Sequence, residues 1–169
     1  MKTILLGIVF LLSLQVTVAQ DGFSSGSVIE DESAPRFEDY RVVRAFRGKP
    51  APVKLSSPRA RMFRTMLREN AREGVNFAGQ YILATWGCGS GCSSIAVIDA
   101  RTGRVYFTPF LMLVGIALYQ ELDPLDYRKD SRLLKVVGSR NDGNVGTYFY
   151  EWKNNRFRLV RAYENKQVK

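Results

Sequence analysis

The segment from residue 76 to residue 99 constrains the fold more than any other part of the chain. It contains two apolar runs, residues 80–86 and 94–99, joined by a loop in which glycine alternates with other residues. Short apolar runs bounded by turn signals are consistent with buried β-strands, and glycine at this density indicates backbone conformations that other residues resist. The segment therefore predicts a β-hairpin around which the rest of the domain folds.

The first nineteen residues have the pattern of a secretory signal peptide. Lys2 gives a positive start, residues 4–14 form an apolar segment, and Thr17 and Ala19 are the small residues of a cleavage site. The apolar segment is too short to span a bilayer core of about 30 Å. We expect residues 1–19 to be removed, which leaves an exported protein, periplasmic or secreted, that is not an integral membrane protein.

The 150 residues that follow the predicted cleavage site (169 − 19) are enough for one domain. Residues 20–36 are rich in serine, glycine and acidic residues and lack periodicity, so we interpret them as a flexible lead-in. The chain is 46% hydrophobic and 12% aromatic, which is typical of a globular protein. A single globular domain is therefore expected over residues 37–169.

The charge balance indicates the kind of partner. The chain has 25 basic and 16 acidic residues, a net charge of +9, which becomes +8 when Lys2 is removed. This excess favours anionic partners such as envelope polymers and lipid head groups, and export argues against nucleic acid. We expect an anionic envelope component or a protein as the partner, and no cofactor.

The hairpin loop holds the only two cysteines, Cys88 and Cys92. In an exported chain two cysteines favour a disulfide. Three residues separate them, whereas thioredoxin-like redox centres have two and lie at a helix start. We predict a structural disulfide, with a thiol–disulfide oxidoreductase as the alternative. The chain has no histidine, so the sequence predicts no metal site and no histidine-dependent catalytic residues.

One amphipathic helix is predicted over residues 58–73, with Ser57 as its N-cap and Gly74 as its stop. Asn70 lies in the middle of its apolar face, either as a satisfied buried amide or as a site residue. Beside that face runs an arginine stripe, which is either a solvated helix surface or an anion-binding surface. Its members are Arg61, Arg64, Arg68 and Arg72.

The second half of the chain predicts further strands linked mostly by short turns. Residues 104–108, 132–137, 146–153 and 156–160 are predicted as strands, with a possible one at 40–46. Residues 154–155 suit a two-residue hairpin turn. Residues 110–122 fit either a helix or a strand. The fold class is α+β: an antiparallel meander of about five to seven strands with one main helix packed on it.

The candidate binding site is the cysteine loop, residues 86–92. Trp86 is either a core residue at a strand end or an aromatic anchor for a partner. Ser90 would supply a polar contact at the tip. We expect a non-enzymatic binding or envelope-associated domain that uses this loop together with the arginine stripe.

Three motifs carry a resemblance to known proteins. They are Asn-Phe-Ala-Gly-x-Tyr at 76–81, Trp-Gly-Cys-Gly-x-Gly-Cys at 86–92 and Asp-x-x-Thr-Gly-x-Val-Tyr at 99–106. With them the chain resembles a group of small exported bacterial proteins that have no assigned activity. The resemblance implies an exported globular domain and no particular reaction.

The loop, followed by an apolar strand and a turn, is also similar to the periplasmic inhibitors of vertebrate lysozyme. That resemblance would imply a lysozyme-binding loop. Those inhibitors have a different cysteine spacing and charged residues inside the loop, which residues 89–91 lack. A basic protein is also a poor partner for basic lysozymes, because like charges oppose association.

Overall fold

The computed structural model describes residues 33–89, 91–111, 113–115, 124–141 and 143–164. The predicted signal peptide and residues 20–32 of the predicted lead-in lie outside these ranges. Within the described residues, no helix is long and apolar enough to cross a membrane.

The described part of the chain contains two α-helices and eight β-strands. The helices are α1 (Pro58–Met62) and α2 (Arg64–Glu73). The strands are β1 (Tyr81–Gly89), β2 (Cys92–Asp99), β3 (Val105–Tyr106), β4 (Leu113–Gly115), β5 (Leu125–Tyr127), β6 (Leu133–Arg140), β7 (Gly146–Lys153) and β8 (Arg156–Glu164).

All strand pairs are antiparallel and follow the order β1-β2-β4-β6-β7-β8. Strand β3 pairs with β2, and β5 pairs with β6. Helix α2 packs on β1. The predicted class, an antiparallel α+β fold with one main helix, is confirmed.

The central part of the hairpin of β1 and β2, residues 82–84 and 94–99, is buried on both faces. Its helix-side cluster includes Ile82 and Ile98 with Leu67 of α2. Leu83 and Val97, which point the opposite way, belong to a second cluster built mainly from the other strands. Burial on both faces explains why these strands are continuously apolar instead of alternating. The second cluster has an aromatic centre formed by Phe77, Tyr148, Tyr150, Trp152 and Phe157.

The predicted helix over 58–73 is interrupted at Phe63. Its N-cap is confirmed, because the Ser57 Oγ accepts a hydrogen bond from the Ala60 N–H at 3.1 Å. Phe63 then has φ −97° and ψ 22°, which separates α1 from α2. At this position the Phe63 ring packs against Trp86 of β1. The helix ends as predicted at Gly74, which has φ 90°.

The strand predictions vary in accuracy. The predicted strand at 146–153 coincides with β7, and the Asn154–Asn155 turn is confirmed, with φ values of 54° and 57°. The possible strand at 40–46 is wrong. There the chain makes single bonds to separate partners, such as the Phe46 N–H to the Gly79 carbonyl, instead of following one neighbour. For residues 110–122 the sequence fits either a helix or a strand. Leu113–Gly115 within this segment is a strand, and residues 112 and 116–122 are not among the described residues.

Candidate functional site

The cysteine loop closes the hairpin of β1 and β2. The strands pair regularly as far as Gly87 opposite Ser93, and then the register shifts so that Gly89 faces Cys92. The shift makes Cys88 the extra residue of a bulge. Cys88 and Cys92 are joined by the predicted disulfide, and their Cα atoms are 5.4 Å apart. The disulfide therefore links the two strands directly at the end of the hairpin.

Two glycines shape the tip of the loop. Gly89 has φ 132° and Gly91 has φ 70°, in the region that residues with a side chain seldom adopt. Cys88 is exposed and Cys92 is half-buried, so the disulfide lies at the surface. Ser90, predicted as a polar contact, lies outside the described residues.

Trp86 lies at the base of the loop and faces the helices. Its side chain is half-buried and packs against the helix-side cluster. The centre of its ring system lies 5.0 Å from that of Phe63. By contrast, Trp152 in the aromatic centre is only 2% exposed. Trp86 thus combines the packing of a core residue with the exposure that a contact residue requires.

The four arginines of the stripe are all exposed. Among the described residues, no carboxylate oxygen lies within 4.0 Å of their guanidinium groups. Arg61 Nη1 donates to the carbonyl of Leu55 at 3.3 Å, and Arg64 Nη1 donates to the carbonyl of Arg61 at 3.4 Å. The positive charge of the stripe is therefore available to an anionic partner.

Two contacts bring α2, which carries three of the four arginines, to the base of the loop. One is the packing of Phe63 on Trp86. The other is a pair of hydrogen bonds between the Asn70 side chain and the Thr85 backbone. Two of the four arginines lie on the stretch between these contact residues. The sequence predicts the loop and the stripe as separate features, and the structure packs the base of the loop against the start of α2.

Two asparagine side chains form hydrogen bonds with the backbone of Leu83 and Thr85 on the outer edge of β1. Thr85 N–H donates to Asn70 Oδ1 at 2.9 Å, so Asn70 is a satisfied amide. Asn76 forms the same kind of pair with Leu83: it accepts from the N–H at 2.8 Å and donates to the carbonyl at 3.2 Å. An edge strand whose backbone groups are satisfied in this way is a poor template for another strand. The position of Asn70 on the apolar face of the predicted helix indicates that its side chain has a role. No sequence signal indicates the role of Asn76.

A polar cluster that the sequence does not predict lies at the C-terminal end of β6. Arg140 Nη1 donates to the Tyr150 hydroxyl at 2.9 Å, and the guanidinium lies 4.0 Å from the centre of the Tyr148 ring. Arg140 also forms an ion pair with Glu164 at 3.3 Å. Burial raises the pKa of both tyrosine hydroxyls. The alternation of β7 places both tyrosines on the core face, but no sequence signal indicates Arg140 as their partner.

Besides Arg140–Glu164, the ion pairs among the described residues are Arg36–Asp39, Arg128–Glu38 and Arg132–Glu151. Glu38 accepts from Arg128 at 2.8 Å, and its pKa is lowered, chiefly by a backbone hydrogen bond and then by that arginine. In the part of the chain that the structure describes, no group of three or more cysteine, aspartate or glutamate side chains is placed to hold a metal ion. The exposed guanidinium groups of the stripe suit the binding of anionic groups.

No family model, no curated protein and no solved structure matches this chain. The resemblance to small exported bacterial proteins remains an expectation from the motifs, and residues of those motifs have structural roles here. Asn76 satisfies the edge of β1. At Gly103, which has φ 73°, an added Cβ would overlap the carbonyl oxygen of Pro52.

Proposed function

We propose that this protein is an exported, non-enzymatic binding domain, periplasmic or secreted, that recognises an anionic component of the cell envelope. The binding surface consists of the cysteine loop and the arginine stripe. The observation that supports this assignment is the packing of Phe63 on Trp86, which joins the base of the loop to the start of α2, the helix with three of the four arginines.

The chemistry of the surface suits a polymer that carries phosphate, sulfate or carboxylate groups. Arginine presents several N–H donors in a planar fork and pairs well with such anions. One of them in α1 and three in α2 provide repeated charge without a deep pocket. Trp86 adds a rigid apolar contact where it packs on Phe63, of the kind that dominates contact sites.

The disulfide makes the loop a preformed contact element. A covalent ring of five residues restricts the conformations of the loop before a partner arrives. Restricting a loop in advance lowers the ordering cost of binding, so less of the contact energy is lost. This accounts for a ring and three glycines where a two-residue turn is enough to connect antiparallel strands.

The proposal is tested with two variants that lose the same charge. In one, Arg61, Arg64, Arg68 and Arg72 are changed to glutamine. In the other, the same change is made at four exposed arginines elsewhere: Arg44, Arg47, Arg156 and Arg158. Titration with dextran sulfate, a soluble anionic polymer, should show much weaker binding for the stripe variant than for the control. Equal weakening would mean that only net charge matters and would contradict the proposal.

A further inference from the structure

A groove of about 330 Å³ lies between the segment preceding α1 and strand β3. It is separate from the cysteine loop, because β3 pairs with Val97 and Ile98 whereas the loop joins β2 at Cys92. Its polar lining consists of two cations and three hydroxyl groups. These belong to Lys54, Arg104, Ser56, Ser57 and Tyr106.

The two cations of the groove are not ion-paired with any described carboxylate. None of the residues lining the groove is acidic. Within the described ranges, neither Lys54 nor Arg104 has a carboxylate oxygen within 4.0 Å. The neighbouring Asp99 is buried, and its Oδ1 accepts from the Arg101 N–H at 2.9 Å. The groove is therefore a positively charged site.

Backbone hydrogen bonds hold the two walls of the groove together. Lys54 N–H donates to the carbonyl of Gly103 at 2.7 Å, next to Arg104 in the chain. The cations thus come from two segments whose backbones are joined. Ser57 Oγ accepts from the Ala60 N–H at 3.1 Å, which leaves the hydroxyl proton of Ser57 available to donate to a ligand. The groove therefore offers two cations and a hydroxyl donor to the same ligand.

We infer that this groove binds the phosphate group of a small phosphomonoester. Such a group carries a charge of about −1.5 to −2 at pH 7 and three strong acceptor oxygens. This matches two cations and several hydroxyl donors, whereas a carboxylate offers one charge and two oxygens. The volume is at the lower end of the range for ligand pockets, about 300–1,000 Å³, which suits a phosphate with a few attached atoms.

Calorimetric titration of the full exported protein with glycerol phosphate tests this assignment. We expect saturable binding of one glycerol phosphate per chain, weakened about tenfold or more when Lys54 and Arg104 are both changed to glutamine. The matched control changes Lys49 and Arg101, two exposed cations nearby, and should bind normally. A variant that keeps Arg61, which contacts Leu55 beside the groove, and changes only Arg64, Arg68 and Arg72 to glutamine should also bind normally. This inference and the proposed function can therefore fail independently.

The phosphate group could belong to a free metabolite or to the end of an envelope polymer. Competition between glycerol phosphate and an oligosaccharide with a terminal phosphate distinguishes them: competition indicates the polymer, and its absence the free ester. Both results support a phosphate site. Absence of saturable binding at millimolar glycerol phosphate would overturn the inference, as would equal weakening in the Lys54/Arg104 variant and its control.

Discussion

Asn70 binds the backbone of Thr85 as a neighbouring strand would. Its Oδ1 accepts from the Thr85 N–H at 2.9 Å, and its Nδ2 donates to the Thr85 carbonyl at 3.3 Å. This side chain fixes α2 against the edge of β1, one residue before Trp86. Together with the packing of Phe63 on Trp86, this carboxamide positions α2 relative to the cysteine loop.

Replacing Asn70 by alanine should lower the free energy of unfolding by about 1–3 kcal/mol, because two backbone groups of Thr85 lose their partner. The change should also speed hydrogen exchange at the Thr85 amide. Urea denaturation and exchange measurements check both effects. Glu69→Ala, on the exposed side of the same helix, is the control and should change stability by less than about 0.5 kcal/mol. An unchanged exchange rate at the Thr85 amide would show that the hydrogen bond from Thr85 to Asn70 does not stabilise the edge of β1.

The Cys88–Cys92 disulfide should resist alkylation in protein taken directly from the exported fraction. Changing both cysteines to serine should cost about 2 kcal/mol, the loop entropy of a five-residue ring. A structural disulfide should have a reduction potential below about −300 mV. A potential well above that value, with labelling of both thiols, would instead support a thiol–disulfide oxidoreductase.

The two tryptophans should differ in their effect on stability. Trp152 is buried, and its ring lies within 6 Å of those of Tyr81, Tyr106 and Phe157, so Trp152→Ala should cost about 3–5 kcal/mol. Trp86 is half-buried, and Trp86→Ala should cost less, about 1–3 kcal/mol. Thermal and chemical unfolding of both variants provide the comparison. Equal losses would make Trp86 an ordinary core residue.

Stability should fall at alkaline pH because burial raises the pKa of Tyr150 in the folded protein. Below the unfolded pKa of about 10 this contribution is fully present, and it is lost as the pH rises through the folded pKa. Tyr150→Phe should therefore reduce the dependence of unfolding free energy on pH above about 10. Tyr81 and Tyr148, whose pKa burial also raises, should maintain part of that dependence. An identical pH profile in the variant would contradict this account.

Sequence patterns correctly predict those elements whose conformation is set by residues close to them in the chain. The alternation of residues 146–153 and the Asn154–Asn155 turn fix a hairpin because strand period and turn conformation are local properties. The Ser57 cap is local in the same sense. The apolar runs around the cysteine loop also predict β1 and β2 correctly. These elements account for most of the fold class.

The structural features that the sequence does not predict depend on contacts between residues far apart in the chain. The interruption at Phe63 accompanies packing on Trp86, 23 positions later (86 − 63). The wrong strand at 40–46 has a suitable composition but no continuous neighbour to pair with. Arg140 gains its role only when β6 and β7 bring it over the tyrosines. In the same way, the sequence predicts the cysteine loop and the arginine stripe, but not the packing of Phe63 on Trp86 that links the loop to α2.

The affinity of the Trp86→Ala variant for dextran sulfate, measured across a range of salt concentrations, tests the central claim most directly. If the loop and the stripe form one binding surface, the variant should bind more weakly at every salt concentration, with the same salt dependence as the wild type. The stripe variant should instead show a shallower salt dependence, because it has lost charges. Unchanged affinity in a folded Trp86→Ala protein would contradict the account and leave the loop outside the binding surface.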